Sequence, residues 1–153
     1  MFLNSDSSCY KVTAFTIQDE SQLSKQLESE FKNNYSMIVN PEGVTRLPFT
    51  DESFDAVFSI GVLEHVRETG GDEVDSLKEI KRVLKKDGYF ICTHLPNKFS
   101  WIEFLTSFMK SKHHHEYKYS KSDIKRIVEL SGFNLIETKA LLLAEWVGIF
   151  ETC

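Results

Sequence analysis

Residues 47–66, LPFTDESFDAVFSIGVLEHV, constrain the fold more than any other stretch of the chain. Leu47-Pro48-Phe49 makes a turn and leads into an acidic connector, Thr50-Asp51-Glu52-Ser53. The apolar run that follows, residues 54–60, is rich in Phe, Val and Ile and is interrupted only by Asp55 and Ser59. So short a run without polar alternation predicts a strand buried on both faces, as in a parallel sheet under helices. Gly61 and then Leu63-Glu64-His65-Val66 come directly after it. Polar and ionisable groups just past the carboxyl end of such a strand stand where open α/β sheets place their ligands.

The flanking sequence supplies the other layers. Residues 1–10 form a loose lead-in, and residues 11–17 (KVTAFTI) are β-branched and aromatic, which predicts a short strand. Asp19 with Gln22 marks a helix start, and Leu23, Leu27 and Phe31 recur every fourth residue. Residues 37–39 predict a second strand, closed by the turn Asn40-Pro41-Glu42-Gly43. Beyond the central stretch, Gly70-Gly71 breaks the chain and Asp72 can cap a helix with Val74, Leu77, Ile80 and Leu84 on its apolar face. Lys85 and Lys86 suit that helix's negative end, and Gly88 is expected to stop it. Residues 89–95 predict a buried strand halted by Pro96-Asn97. Ser120 and Asp123 open a further helix through Ile124, Ile127 and Val128 to Gly132, and residues 133–140 predict a strand. Residues 141–150 are apolar without a period and receive no assignment. Strands alternating with helices imply a doubly wound, mostly parallel sheet.

Composition narrows the function classes. The 153 residues are one domain's worth of chain, expected as a single domain over 1–153. A net charge of -5 argues against a general nucleic-acid binder, which needs clustered Lys and Arg. No apolar run approaches bilayer length and no signal-peptide pattern opens the chain, so a cytoplasmic protein without a transmembrane segment is expected. Cys9, Cys92 and Cys153 make neither a metal spacing nor an even disulfide set, which predicts reduced thiols.

The motif LPF-x-D-x-SFD-x-V-x-S-x-x-VLEHV resembles the centre of the class I, S-adenosylmethionine-dependent methyltransferases of the small-molecule type. Residues 79–90 (EIKRVLKKDGYF) resemble that family's E-x-x-R-V-L-K-P-G-G helix and the strand after it, and Leu130-Ser131-Gly132-Phe133 its late helix-to-strand junction. Together these motifs span roughly two-thirds of the chain, and their order is specific where one alone would be weak. The resemblance implies a Rossmann-like α/β fold, S-adenosylmethionine as cofactor and methyl transfer to a small-molecule or lipid-like acceptor. Its glycine-rich loop, where backbone must approach the cofactor closely, has no counterpart before Lys11. Residues 11–17 look like the family's second strand. The chain is therefore expected to be an amino-terminally shortened piece whose sheet lacks the central strand that joins two half-sheets. It is also expected to bind cofactor weakly or not at all by itself, and better in an extended form. A second copy or a partner chain completing the sheet is a further expectation, because open strand edges are an aggregation hazard.

The family's site residues carry over position by position. Its ribose-binding carboxylate falls near Thr16, with Ile17 beside it, where a hydroxyl replaces the acid and an ordinary strand end is the competing reading. Its adenine-contacting Asp-Ala pair falls on Gly43 and Val44, leaving the Val44 amide. The backbone of Ser59 and Ile60 would face the cofactor's methionine part, unless Ser59 merely finishes its strand. His65 is the acid/base candidate, since imidazole titrates near neutrality; the alternative is that Glu64-His65 positions backbone. Gly61 replaces the glutamate with which some relatives bind metal, so no metal site is expected. His113-His114-His115-Glu116 lacks ligand spacing and reads as a solvated loop or a substrate contact. Trp101, Phe104, Leu105, Phe108 and Met109 form one helical stripe within a lid-like insertion, residues 97–119, which packs in the core, lines a pocket for a bulky acceptor or lies on a membrane surface. A methyltransferase-like binding or scaffolding protein that no longer takes the cofactor is the alternative function.

Overall fold

The computed structural model describes residues 11–16, 21–31, 34–39, 45–100, 117–141 and 145–152, in two compact units divided after Gly43. The predicted elements at Asp19, Ile17, Gly43-Val44, residues 101–109 and the histidine run lie outside the described residues. Among the described residues no helix is long and apolar enough to cross a membrane.

The first unit holds β1 (Val12–Thr16), α1 (Ser21–Phe31) and β2 (Tyr35–Val39). β1 and β2 pair in parallel, from Val12 opposite Tyr35 to Thr16 opposite Val39. The Thr13 and Ser36 hydroxyls meet across the pair at 3.2 Å.

The second unit contains β3 (Phe54–Ile60), two 3-10 turns (Leu63–His65 and Arg67–Thr69), α2 (Glu73–Val83), β4 (Leu84–Pro96), α3 (Lys121–Ser131), β5 (Asn134–Leu141) and β6 (Glu145–Glu151). Its sheet order is β3-β4-β6-β5. β3 pairs with β4 in parallel, and β6 runs antiparallel to both β4 and β5. β3, β4 and β5 thus share one direction, as a mostly parallel sheet requires. β6 occupies the apolar tail that sequence periodicity left unassigned.

One face of this sheet carries the core. Phe90, Phe133 and Phe150 cluster with ring centroids 5.3–6.2 Å apart. Leu77 and Ile80 of α2 and Ile124 and Val128 of α3 belong to the same buried cluster. Both helices are capped as predicted: the Asp72 carboxylate accepts from the Val74 amide at 2.8 Å, and Ser120 with Asp123 forms a full capping box.

Two expectations are corrected. Gly88 does not stop α2, which ends at Val83 with Leu84 already extended. The amides of Glu52 and Ser53 donate to the carbonyls of Arg82 and Val83 at 2.9 and 2.8 Å, so incoming backbone satisfies the helix end. The cations on its last turn are therefore Lys81 and Arg82, while Lys85 pairs across strands with Asp55 at 2.7 Å. Second, β3 is not buried on both faces: Phe58 and Ile60 are 65% and 64% exposed. Only β4 pairs with it among the described residues, and its side chains packed against the core are Phe54 and Val57. Among the described residues, β1–β2 and β3-β4-β6-β5 are two sheets, one in each unit.

Candidate functional site

The carboxyl ends of β3 and β4 lie side by side, with Ser59 opposite Cys92 and Ile60 opposite Thr93. Gly61 continues this register, its amide donating to the Thr93 carbonyl at 3.4 Å, and then turns the chain with φ +66°. That left-handed conformation favours a residue without Cβ. The first 3-10 turn starts immediately beyond it.

Within that turn, neighbouring residues part company. Glu64 is 3% exposed, whereas the His65 ring is open to solvent. Glu68 holds His65 through Nδ1 at 2.7 Å. Burial pushes the Cys92 thiol up to about 12, the Glu64 charge adds to this, and a hydrogen bond from Ser59 opposes it.

Sequence reasoning missed a buried polar node beneath the site. Glu73, fully buried at the start of α2, accepts from Arg67 Nε and from the Tyr119 hydroxyl, each at 2.6 Å. Its hydrogen bond raises Arg67 against the effect of burial, while burial first and Glu73 second raise Tyr119. Tyr119 is also tied to the end of β4 and to β6. Its amide donates to the Pro96 carbonyl at 2.8 Å, and its carbonyl accepts from Lys98 N and Trp146 Nε1, both at 3.0 Å. The segment between Asn97 and Tyr119 therefore leaves and re-enters at one neck.

His94 was missed as well. It sits at the end of β4 with φ +67°, Nδ1 2.8 Å from Thr93 Oγ1 and Nε2 3.8 Å from Glu145 Oε2. Inside YFICTHLP its strand environment masked it, since nothing in propensity marks a residue that the backbone turns outward.

Of the residues expected at the site, Ser59, Ile60 and His65 fall together at the end of β3 and in the turn after it. Thr16 ends β1 in the other unit. Ile17 and Val44 lie outside the described residues.

Comparison with known proteins agrees with this architecture. A family model described as a methyltransferase domain matches residues 3–92. No curated protein is a sequence match. Among solved structures, a chain of the Haloferax volcanii complex containing the Trm112 methyltransferase activator is similar with TM-score 0.72 at 13% identity, covering 93% of this chain and 72% of that one. An S-adenosylmethionine-dependent methyltransferase from Methanosarcina mazei gives TM-score 0.71 at 17% identity, covering 95% and 84%. The Burkholderia thailandensis 1,6-didemethyltoxoflavin N1-methyltransferase, bound to 1,6-didemethyltoxoflavin and S-adenosylhomocysteine, gives 0.71 at 15%, covering 93% and 61%. The fold is the Rossmann-like α/β fold of these proteins. The chain belongs to the methyltransferase domain family.

Proposed function

We propose that this chain transfers the methyl group to a small-molecule or lipid-like acceptor at the carboxyl ends of β3 and β4. The observation that carries the proposal is the family match over residues 3–92, which runs through the Ser59–Gly61 turn and ends in β4. The residues present suit the cofactor's methionine end. The main chain of Ser59 and Ile60 stops at an exposed strand end, and Gly61 adds no Cβ to the turn. Thr16, Ile17 and Val44 are proposed as ribose and adenine contacts on the strength of the sequence resemblance.

When bound, the cofactor supplies a methyl carbon activated by its sulfonium. The protein's part is to align the acceptor and exclude water. His65, oriented by Glu68, is the proposed acid/base group. The neck at Asn97 and Tyr119 supports residues 97–119 as the lid. The outer edge of β3, without a described neighbour, supports a second copy or a partner chain completing the sheet. The buried, unbridged Cys92 supports a cytoplasmic location.

The loss of the Asp-Ala pair to Gly43 and Val44 favours a second reading, a scaffold that has given up cofactor. Calorimetric titration with S-adenosylhomocysteine separates the two. Heat of binding from this chain or from a form extended at its amino terminus supports methyl transfer. A folded protein that gives none in either form is the scaffold.

A further inference from the structure

We propose that His94 is a further catalytic residue of this site, taking the proton of a hydroxyl-bearing methyl acceptor, with Glu145 as its positioning residue; the inference rests on the methyl-transfer reading above. Side chains of a strand alternate between faces. Phe90 and Cys92 point into the core at 0% exposure, so an unbroken β4 would bury His94 beside them. The strand breaks instead. Pairing with β6 runs from Cys92 opposite Gly148 to Leu95 opposite Trp146, three steps on β4 against two on β6. That extra residue is a bulge, a device that re-aims a side chain and recurs beside active sites. Here it gives the buried position to Leu95, 3% exposed, and turns the His94 ring out to 54%. His94 adopts φ +67° to do so, a conformation that a residue with a Cβ holds only under constraint from its surroundings. Glu52, another non-glycine with positive φ, lies in the turn before β3; His94 lies next to Thr93, the partner of Ile60.

The ring's partners set its chemistry. Among the described residues, the charged group against it is Glu145 of β6, 3.8 Å from Nε2, and the neutral one is the Thr93 hydroxyl, 2.8 Å from Nδ1. A carboxylate beside Nε2 favours the tautomer protonated there. Nδ1 then keeps its lone pair and accepts from the Thr93 hydroxyl. An acceptor hydroxyl replaces Thr93 as that donor. Its oxygen pair forms the O–CH3 bond as the methyl–sulfur bond breaks and leaves its pair on sulfur. The hydroxyl proton passes to Nδ1, the imidazolium faces the Glu145 carboxylate, and water then carries the proton away.

The tautomer is testable without turnover. Two-bond proton–nitrogen NMR of the histidine rings, assigned with His94→Gln, should find the His94 proton on Nε2. In Glu145→Gln it should be shared between both nitrogens, and Glu145→Asp should restore the wild-type pattern. A wild-type ring protonated on Nδ1 overturns the proposal. The base is tested with two probe acceptors at about pH 8, phenol and the more acidic 4-nitrophenol. His94→Gln should lower kcat about 10²–10⁴-fold for phenol and less than about tenfold for 4-nitrophenol, already ionised. Equal losses, no loss, or turnover of neither phenol by a protein that binds S-adenosylhomocysteine overturn it. Absence of S-adenosylhomocysteine binding in wild type and variant alike, in this chain and in a form extended at its amino terminus, instead removes the methyl-transfer reading on which it rests.

Discussion

Arg82 donates through Nη2 to the Leu47 carbonyl at 3.1 Å, joining the last turn of α2 to a turn 35 residues earlier. The same guanidinium reaches the Phe49 carbonyl at 2.8 Å and Asp51 at 2.7 Å. Glu79, one turn back on α2, takes two further bonds from Arg82 and accepts from the Leu47 amide at 3.0 Å. The LPF turn and the E-x-x-R helix are thus two halves of one clamp. It fixes where β3 begins and, through the length of β3, where Ser59 and Gly61 come to rest.

Arg82→Ala should therefore destabilise the fold by roughly 1–3 kcal/mol, because the partly buried carbonyls of Leu47 and Phe49 lose a charged donor. Arg82→Lys should recover less than half of this, since an ammonium cannot serve the fork that Arg82 fills. Urea unfolding with an unchanged m-value measures both. A lysine variant as stable as wild type would show that charge alone holds the turn.

The clamp also sets an acid dependence. The hydrogen bond from Arg82, chiefly, holds the Glu79 carboxyl below its usual range against the opposing effect of burial, and the Leu47 amide assists. A carboxylate depressed in the folded state contributes stability above its unfolded value, and that contribution is lost as pH falls through the folded one. The deficit of Arg82→Ala relative to wild type should be complete above about pH 5 and shrink toward pH 3. A deficit constant across this range would mean that Glu79 contributes nothing through ionisation.

Cys92 offers a probe of the site's floor. It is buried, with its thiol pushed up to about 12, so the reactive thiolate is scarce at neutral pH. Iodoacetamide at about pH 8 should modify the Cys92 peptide only as fast as the protein opens, with a rate that climbs on adding urea. Mass spectrometry of that peptide reads the rate. Rapid labelling of the folded protein would place a solvent path beneath Ser59.

How legible the sequence was depended on whether the deciding neighbour was local. Both helix caps were readable because Asp72 with Val74, and Ser120 with Asp123, lie within one turn of each other. The end of α2 was not, since its carbonyls are met by Glu52 and Ser53, thirty residues upstream. β6 escaped because the buried positions on either side of Phe150 in the alternation are Gly148 and, just past the strand's end, Thr152, neither of them a large apolar residue. Gly148 is small for cause: a Cβ there would collide with the Phe150 ring. That Ser59 and Ile60 end a strand and that His65 follows just beyond it was legible from motif order. The burial of Glu64, the Glu73 node and the outward turn of His94 depend on pairings across the sheet and its helices.

Gly88 shows the same dependence in testable form. A Cβ there would stand 2.8 Å from the Lys85 carbonyl and 3.2 Å from that of Asp55, both backbone atoms. Its amide also donates to Thr152 Oγ1 at 3.0 Å. Gly88→Ala should cost about 1–3 kcal/mol by overpacking. It should shift backbone NMR signals at Asp55 and Thr152 more than at Ser59. A variant as stable as wild type would mean that the β3–β4 junction is looser than its contacts imply.

Gly61 carries the last prediction, the one closest to the chemistry. Its φ of +66° suits glycine, and a Cβ would meet only Glu64 Oε1, at 3.6 Å. Alanine is therefore limited by backbone strain, at about 1–2 kcal/mol, whereas branched valine adds bulk at the mouth of the strand. If the Ser59–Gly61 turn holds the cofactor's methionine part, Gly61→Val should weaken S-adenosylhomocysteine binding at least tenfold, about 1.4 kcal/mol, in whichever form of the protein binds it. Gly61→Ala should weaken it less while losing comparable stability, so affinity and folding separate between the two variants. Calorimetry beside urea unfolding provides both numbers. Undiminished affinity in a folded Gly61→Val protein would move the cofactor away from this turn.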